Sequence, residues 1–306
     1  MKIELAIIGG GPAAYSAGIY AVRAGIKPII FEKEGGGGLA MFSPNIENYP
    51  GFESISGLDL MEKMRKHAEK YCKINTYEKV NEIKKSNKNF YIYTTKDTYT
   101  SKAVIICTGT EYRKLNVDGE LQLQGKGVSY CATCDGFFFK GKKVAVIGGG
   151  NSALIESIYL KQIGCNEVIL IHRRDQLRAE KAYEDEAKKN GVKFLLNKKV
   201  KKIIGSDKVE SILIEDSNSS KESNIKIDGV FISIGEIPQN HIAKEMNIKL
   251  NEEGYIIIDK NQRTNIEGVY AAGDITGGLR QIVTACAEGA IAALSTTEVL
   301  DKKYPY

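Results

Sequence analysis

Short apolar runs that stop at glycine divide this chain. Residues 3–8 are mostly apolar and end at Gly9-Gly10-Gly11, and residues 143–147 run in the same way into Gly148-Gly149-Gly150. A strand with one wet face would alternate, so continuous apolar runs of this length predict parallel strands covered on both faces. Residues 104–109 and 228–235 repeat the pattern, and residues 268–274 predict another buried strand, this one ending at Asp274. Helical spacing fills the intervals. A helix is expected from Gly11 to about Ala24, and a strand over 27–31. Leu58, Leu60, Met61, Met64, Ala68 and Tyr71 mark an amphipathic helix, on which His67 reads as a packing or surface residue. Residues 280–297 predict a small-residue helix with Cys286 in the core. Between these lie predicted hairpins over 90–106, turning near Lys96-Asp97, and over 200–214, turning at Gly205-Ser206-Asp207. Gly35 to Gly38 read as a flexible loop, residues 217–223 as a polar surface loop and Pro238 as part of a crossover linker, and strand is expected again after Gly254.

The chain also matches itself. Shifted by 139 positions, Gly9-Gly10-Gly11-Pro12-Ala13-Ala14 falls on Gly148-Gly149-Gly150-Asn151-Ser152-Ala153, Ile19-Tyr20 on Ile158-Tyr159, and Gly25 on Gly164. Two dinucleotide-binding units are therefore expected, each a strand, a glycine turn and a helix whose N-terminus favours a pyrophosphate. After the second strand of the first unit stands Glu32, an acid placed to accept hydrogen bonds from a ribose diol. At the same shift Glu32 falls on Ile171, followed by His172-Arg173-Arg174, with Arg178 one helical turn further on. Cations in place of an acid suit a 2′-phosphate. The first unit is thus expected to take a nucleotide with a free 2′-hydroxyl and the second NADP(H).

Length and charge narrow the picture. A chain of 306 residues suggests about two domains. The net charge is +5, and the dense basic cluster Lys198, Lys199, Lys201 and Lys202 alternates with Val200 and Ile203, which makes it a solvated strand edge and not a nucleic-acid face. Glu4 and the glycines after Ile8 do not fit a secretion signal, and no apolar run approaches the roughly 20 residues that span a bilayer. Six cysteines in a chain of this size point to a reducing, cytoplasmic setting.

Two of those cysteines carry candidate chemistry. Cys131-Ala132-Thr133-Cys134-Asp135-Gly136 has a spacing that can close and reopen a disulfide, and it lies just ahead of the second nucleotide motif. Half of a zinc site, or two inert thiols, are the other readings. The remaining Cys72, Cys107, Cys165, Cys286, His67, His172 and His241 form no second close pair, which disfavours zinc.

Taken in order, Gly9 to Ala14 with Glu32, Cys131 to Asp135, Gly148 to Ala153 with His172-Arg173-Arg174, and Gly273-Asp274 with Arg280-Gln281 resemble the low-molecular-weight, bacterial-type thioredoxin reductases essentially from end to end. The resemblance implies an α/β fold of two Rossmann-like, three-layer dinucleotide-binding domains, one inserted into the other. Residues 1–115 and 245–306 would bind FAD, and residues 116–244 would bind NADPH and carry the cysteines. Gly9, Gly11, Pro12, Ala13, Ala14 and Glu32 would hold the ADP half of FAD. Asn48 would lie near the flavin ring, Asp274 toward the ribityl chain, and Arg280 with Gln281 at the last helix facing the pyrimidine end. Gly148, Gly150, Asn151, Ser152, Ala153, His172, Arg173, Arg174 and Arg178 would hold NADPH. Cys134 would exchange electrons with the flavin, Cys131 would attack the disulfide of thioredoxin, and Asp135 would shuttle a proton. A homodimer is implied, as is a rotation between domains about residues 112–119 and 236–246. The function implied is NADPH-dependent reduction of thioredoxin or a thioredoxin-like protein. A flavin disulfide reductase with another donor, a ferredoxin-NADP reductase-like flavoprotein and a non-catalytic redox sensor are the alternatives. Relatives fed by ferredoxin or deazaflavin lack the His-Arg-Arg cluster, and Cys131 with Cys134 argues against single-electron transfer alone.

Overall fold

The computed structural model describes residues 1–43 and 45–304. The chain forms β1 (Leu5–Ile8), α1 (Pro12–Arg23), β2 (Pro28–Phe31), α2 (Gly57–Glu69), β3 (Lys73–Asn75), β4 (Val80–Ser86), β5 (Asn89–Thr94), β6 (Thr98–Ser101), β7 (Ala103–Ile106) and β8 (Thr110–Tyr112). It continues through β9 (Val128–Ser129), α3 (Ala132–Asp135), β10 (Lys143–Gly148), α4 (Asn151–Gln162), β11 (Glu167–Ile171), α5 (Lys181–Lys189), β12 (Lys193–Leu195), β13 (Lys198–Ile204), β14 (Ser211–Asp216) and β15 (Glu222–Lys226). It ends with β16 (Gly229–Ser233), β17 (Glu236–Pro238), α6 (His241–Glu245), β18 (Val269–Ala271) and α7 (Ile282–Ser295). Two compact units result. The first comprises Met1–Met41, Tyr49–Glu111 and the chain from Ile237 onward; the second comprises Phe42–Asn48 and Tyr112–Glu236.

Both units are three-layered. The first holds a five-stranded sheet in the order β18-β7-β1-β2-β3, every pair parallel. Alternate residues of its strands point to opposite faces. Leu5, Ile7 and Ile105 pack with Ala14, Ala17 and Ala21 of α1 and Ala292 of α7, while Ala6, Ile8, Val104 and Ile106 pack with Ile83, Phe90, Ile92 and Tyr99 of the antiparallel sheet β4-β5-β6. Both faces are dry, which is why the strand sequence shows no alternation. Each fully buried Ile or Leu here contributes roughly 1.5–3 kcal/mol of transfer free energy. Small residues let α1 and α7 approach closely: a Cβ at Gly289 would stand 2.1 Å from the Ala13 carbonyl oxygen.

The second unit repeats the plan with β12-β11-β10-β16-β9, again parallel, between helices and the antiparallel sheet β13-β14-β15. Val144, Val146, Val168 and Leu170 face Ala153, Leu154 and Ile158 of α4; Ala145, Ile147, Ile169 and Ile171 face Val200, Ile203, Ile212 and Ile214. Even the irregularity repeats, since β4 shifts register between Val80 and Glu82 and β13 between Val200 and Lys202.

Register corrects the alignment of the two halves. Ile8 pairs with Phe31, and Ile147 pairs with Ile171. The residue that follows the second strand is therefore Glu32 in one unit and His172 in the other, so the second unit has one extra residue after Gly164. Backbone bonds agree: Glu32 N–H donates to Asn75 O as His172 N–H donates to Leu195 O, and Glu78 N–H donates to Glu32 O as Lys198 N–H donates to His172 O.

Other expectations also move. Leu58 is exposed and Tyr71 lies beyond α2, because the helix buries Leu60, Met61 and Ala68. Part of the loop expected over 217–223 is strand β15, held by pairing with β14 although its side chains are mostly exposed. After Gly254 the chain forms no named strand before β18 among the described residues, but two isolated bridges, Ile256 to Leu250 and Arg263 to Tyr270. The last helix starts at Ile282, since Arg280 takes a positive φ of 53° and Gln281 caps the helix. Among the described residues, no helix is long and apolar enough to cross a membrane.

Candidate active site

Cys131 and Cys134 are joined as a disulfide, with Cα atoms 5.3 Å apart. Topology explains where it lies. β9 is the edge strand of the second sheet, in the place that β18 takes in the first, so the turn after it falls at the carboxyl ends of parallel strands, where open α/β sheets bind ligands. Cys131 caps the single turn α3, and the Cys134 N–H donates to Cys131 Sγ at 3.2 Å. Once the bond opens, that donor favours negative charge on Cys131. The other thiols are held inert. Burial pushes Cys72 up to about 11 and raises Cys107, Cys165 and Cys286, the last also touched by the Tyr49 hydroxyl. Cys286 is half-buried and not fully in the core. Among the described residues, no three His, Cys, Asp or Glu side chains gather as a metal would require.

Asp135 follows Cys134 on the same turn. Ser129 Oγ lies 2.6 Å from its Oδ2, and Ser43 Oγ lies 3.2 Å from its Oδ1. Burial raises its proton affinity above the usual carboxylate range, and the two hydroxyls oppose that rise. On the far side of Cys131, the Tyr130 hydroxyl donates to Glu120 at 2.8 Å and its ring stacks on Tyr112. Glu120, only 1% exposed, also accepts the N–H groups of Leu115 and Asn116 at 2.9 and 2.7 Å. One buried carboxylate thus ties residues 115–116 to the residue next to the reactive pair. Sequence reading missed Glu120, Ser129 and Ser43, since none belongs to a periodic or glycine-marked pattern.

The glycine turns are built for close approach. A Cβ at Gly9 would stand 2.2 Å from Cys107 O, and one at Gly148 2.3 Å from Ser233 O, so each first glycine packs on the carbonyl of the neighbouring strand. At Gly11 and Gly150 a Cβ would meet nothing within 4 Å. These two residues cap α1 and α4 with no side-chain hydrogen bond to either helix, which leaves first-turn backbone N–H groups of the kind that bind anions. Pro12 opens α1; Asn151 opens α4 and exchanges two hydrogen bonds with Glu180, each 2.8 Å. Ser152 follows Asn151 on the first turn of α4, and Ala13, Ala14 and Ala153 are buried under the turns. Gly9→Ala is expected to cost roughly 3 kcal/mol or more, because backbone meets backbone and its φ of 116° strains any side chain. Gly11→Ala should stay within about 1 kcal/mol of the parent. Urea unfolding midpoints of the two variants check this.

The ends of the second strands differ in sign. Glu32 lies over Gly10 and accepts the Glu34 N–H at 2.8 Å. His172 lies over Gly149 in the same place, 7% exposed, with Nε2 lacking a partner; burial holds it below its usual proton affinity. Arg173, Arg174 and Arg178 are exposed and make no ion pair among the described residues. The loops beyond are tied alike, Gly37 N–H to Gly10 O at 2.6 Å and Arg178 N–H to Gly149 O at 2.7 Å, so the Gly35 to Gly38 loop is held and not free. Asp274 follows Gly273, which packs on Ala13 and whose N–H donates to Glu288 at 2.7 Å. Glu288 was also missed, although a carboxylate inside an otherwise apolar helix is a visible signal. Gln281 caps α7 in a reciprocal arrangement with Thr284, and the Arg280 guanidinium reaches the Tyr255 hydroxyl at 3.4 Å. Asn48 is exposed and closes the segment that packs within the second unit.

Comparison with known proteins extends these observations. Residues 3–289 match the family model described as pyridine nucleotide-disulphide oxidoreductase. A thioredoxin reductase of Bacillus subtilis is 42% identical over 302 residues, covering 98% of this chain and 95% of that protein. One from Listeria innocua is 39% identical over 302 residues, covering 98% and 94%. Among solved structures, thioredoxin reductase from Streptococcus pyogenes is similar with a TM-score of 0.94 and 41% identity, covering 98% of each chain.

Proposed function

The chain belongs to the pyridine nucleotide-disulphide oxidoreductases and, within them, to the low-molecular-weight thioredoxin reductases, and from that premise we propose that it reduces the disulfide of a thioredoxin or thioredoxin-like protein with electrons from NADPH, by way of FAD and the Cys131–Cys134 pair. The observation that carries this reading is the closed disulfide on the turn after β9, with a protonatable carboxyl on the same turn.

Residues 1–115 and 245–306 take FAD in this reading, with Gly9, Gly11, Pro12, Ala13, Ala14 and Glu32 around its ADP half, and Asn48, Asp274, Arg280 and Gln281 toward the rest. The open space at Gly11 and the carboxylate over Gly10 support it. Residues 116–244 take NADPH on Gly148, Gly150, Asn151, Ser152, Ala153, His172, Arg173, Arg174 and Arg178, a reading supported by three guanidiniums that make no ion pair among the described residues, beside an imidazole in the place of Glu32. Bound, the two cofactors supply the two electrons that open the disulfide.

The chain's own residues do the rest. Cys131 Sγ, as thiolate, attacks one sulfur of the partner disulfide, forming a mixed disulfide and releasing the other partner sulfur as thiolate. Asp135 takes the proton of Cys134, whose sulfur then displaces the partner from Cys131 and re-forms the original pair. The partner gains two electrons from the cysteine pair and two protons, one from Cys134 by way of Asp135 and one from solvent, which had taken the Cys131 proton. The reading includes a homodimer in the cytoplasm, and four free cysteines suit a reducing compartment.

Anaerobic titration tests the proposal. NADPH is expected to bleach the bound flavin and expose about two new thiols per chain, with NADH acting far more slowly. No bleaching by either nucleotide would overturn the donor assignment. Gly11→Ala should lose flavin on purification while its flavin-free form keeps the unfolding midpoint of the flavin-free parent, because the added methyl fills the space beside α1.

A further inference from the structure

We infer that Ser129 is a positioning residue for the proton step, its hydroxyl holding the Asp135 carboxyl against the disulfide turn in both protonation states. The inference rests on the reading of Asp135 as the group that exchanges a proton with Cys134.

Ser129 ends β9 and is only 5% exposed, so its hydroxyl must find partners within the protein. A hydroxyl has one proton to donate and two lone pairs to accept with. Three groups surround Oγ: Asp135 Oδ2 at 2.6 Å, the Cys131 N–H at 3.1 Å and the Cys131 carbonyl oxygen at 3.3 Å. With Asp135 ionised, the hydroxyl donates to Oδ2 and accepts from the Cys131 N–H. With Asp135 protonated, the carboxyl O–H donates to Oγ, and the serine proton turns to the Cys131 carbonyl. Each state uses the groups on hand and strands none of them, so the carboxyl changes charge without moving.

Ser43 offers no such exchange. Its single proton is shared between Asn45 O at 2.9 Å and Asp135 at 3.2 Å, and the nearer carbonyl claims it. The strand position matters too. In the first unit the same register position is Tyr270, opposite Ile105 as Ser129 is opposite Phe231, and its hydroxyl donates to Ser295 O. The repeat thus carries a serine only beside the cysteines.

The surroundings leave Asp135 to these partners. On its own turn stand Cys131, Cys134 and Thr133; just after β9 Tyr130 directs its hydroxyl to Glu120; from α4 Tyr159 reaches Gly136; and on residues 42–48 Glu47 holds the Asn45 amide. Among the described residues no charged side chain shifts its proton affinity, which burial raises and the serine hydroxyls lower. Removing the Ser129 hydroxyl takes a charge-assisted bond from the ionised form and a weaker neutral bond from the protonated form, so the carboxyl should titrate about one pH unit higher.

The test needs neither NADPH nor thioredoxin. The flavin-loaded protein is reduced with dithiothreitol, freed of excess reagent and mixed anaerobically with dithiodipyridine. Re-formation of the Cys131–Cys134 disulfide is followed across pH by quenching with alkylating agent and weighing the peptide. Cys131 displaces one thiopyridine; Asp135 takes the Cys134 proton; Cys134 then displaces the second. For Ser129→Ala, the acid limb of the rate profile is expected to move up by about one pH unit, and Ser129→Thr should restore it. In the Asp135→Asn background, Ser129→Ala should change the rate by less than about twofold. Equal slowing at every pH, or the same loss in the Asp135→Asn background, would mean that Ser129 only builds the turn. An Asp135→Asn protein that kept the parent acid limb would overturn both the inference and the role of Asp135. A wrong donor or protein partner would leave this profile intact and appear instead in the nucleotide titration.

Discussion

Cys134→Ser protein is expected to lose disulfide reductase turnover by at least about 10³-fold while still attacking its partner through Cys131. The second cysteine is held on the same turn with Cα atoms 5.3 Å apart, and well-placed intramolecular groups reach effective molarities of roughly 10⁵ M or more. A serine hydroxyl at that place cannot displace a sulfur from a mixed disulfide at neutral pH. The covalent complex should therefore accumulate. Chemically reduced Cys134→Ser protein, mixed with an oxidised thioredoxin, should form a one-to-one adduct visible on a non-reducing gel and cleared by dithiothreitol, whereas Cys131→Ser protein should form little. The Cys134 N–H that points at Cys131 Sγ supports this order of events. Trapping by Cys131→Ser instead would reverse the roles of the two sulfurs, and turnover by Cys134→Ser within about tenfold of the parent would remove the pair from the reaction.

The second large effect concerns the electron donor. Joint replacement of Arg173 and Arg174 by alanine should lower kcat/KM for NADPH by about 10²-fold and change that for NADH by less than about twofold. Two charged hydrogen bonds to a phosphate would ordinarily be worth about 3–6 kcal/mol together. Both side chains are exposed, so solvent screening reduces this to about 2–3 kcal/mol, which is the factor quoted. The NADPH preference should also shrink as salt is raised from about 0.05 to 0.5 M, since the screening length falls with ionic strength. Equal loss with both nucleotides would show that the arginines build the loop and do not read the 2′-phosphate.

Much of the architecture was legible before any coordinates. The glycine turns are local: a backbone that must come within a Cβ radius of Cys107 or Ser233 admits only glycine, and that constraint is written as a residue type at a fixed place. Strands dry on both faces must be apolar throughout, so the central strands were visible as runs. The cysteine pair was visible because both partners of its bond lie three residues apart. Lys73–Asn75, Val80–Ser86 and Glu222–Lys226 were not visible, since edge and half-exposed strands gain their order from pairing and not from composition.

The amino-acid sequence by itself determined two nucleotide-binding units of one design, an acid in one set against cations in the other, and a disulfide-forming pair ahead of the second glycine turn. Tertiary structure alone decided which residues share an environment. Pairing in register put His172, and not Ile171, in the place of Glu32, because one extra residue after Gly164 is absorbed in a turn where no periodicity records it. Strand order brought Ser129 at the end of β9 against the carboxyl that follows the disulfide, and folding of the chain carried Ser43 to the same carboxyl from 92 positions away. Glu120 and Glu288 were fixed in the same way, by backbone N–H groups that the fold would otherwise leave unsatisfied in its interior. Periodicity and turn chemistry act between neighbours in the chain, whereas the partner of a buried polar group is set by which strands lie side by side.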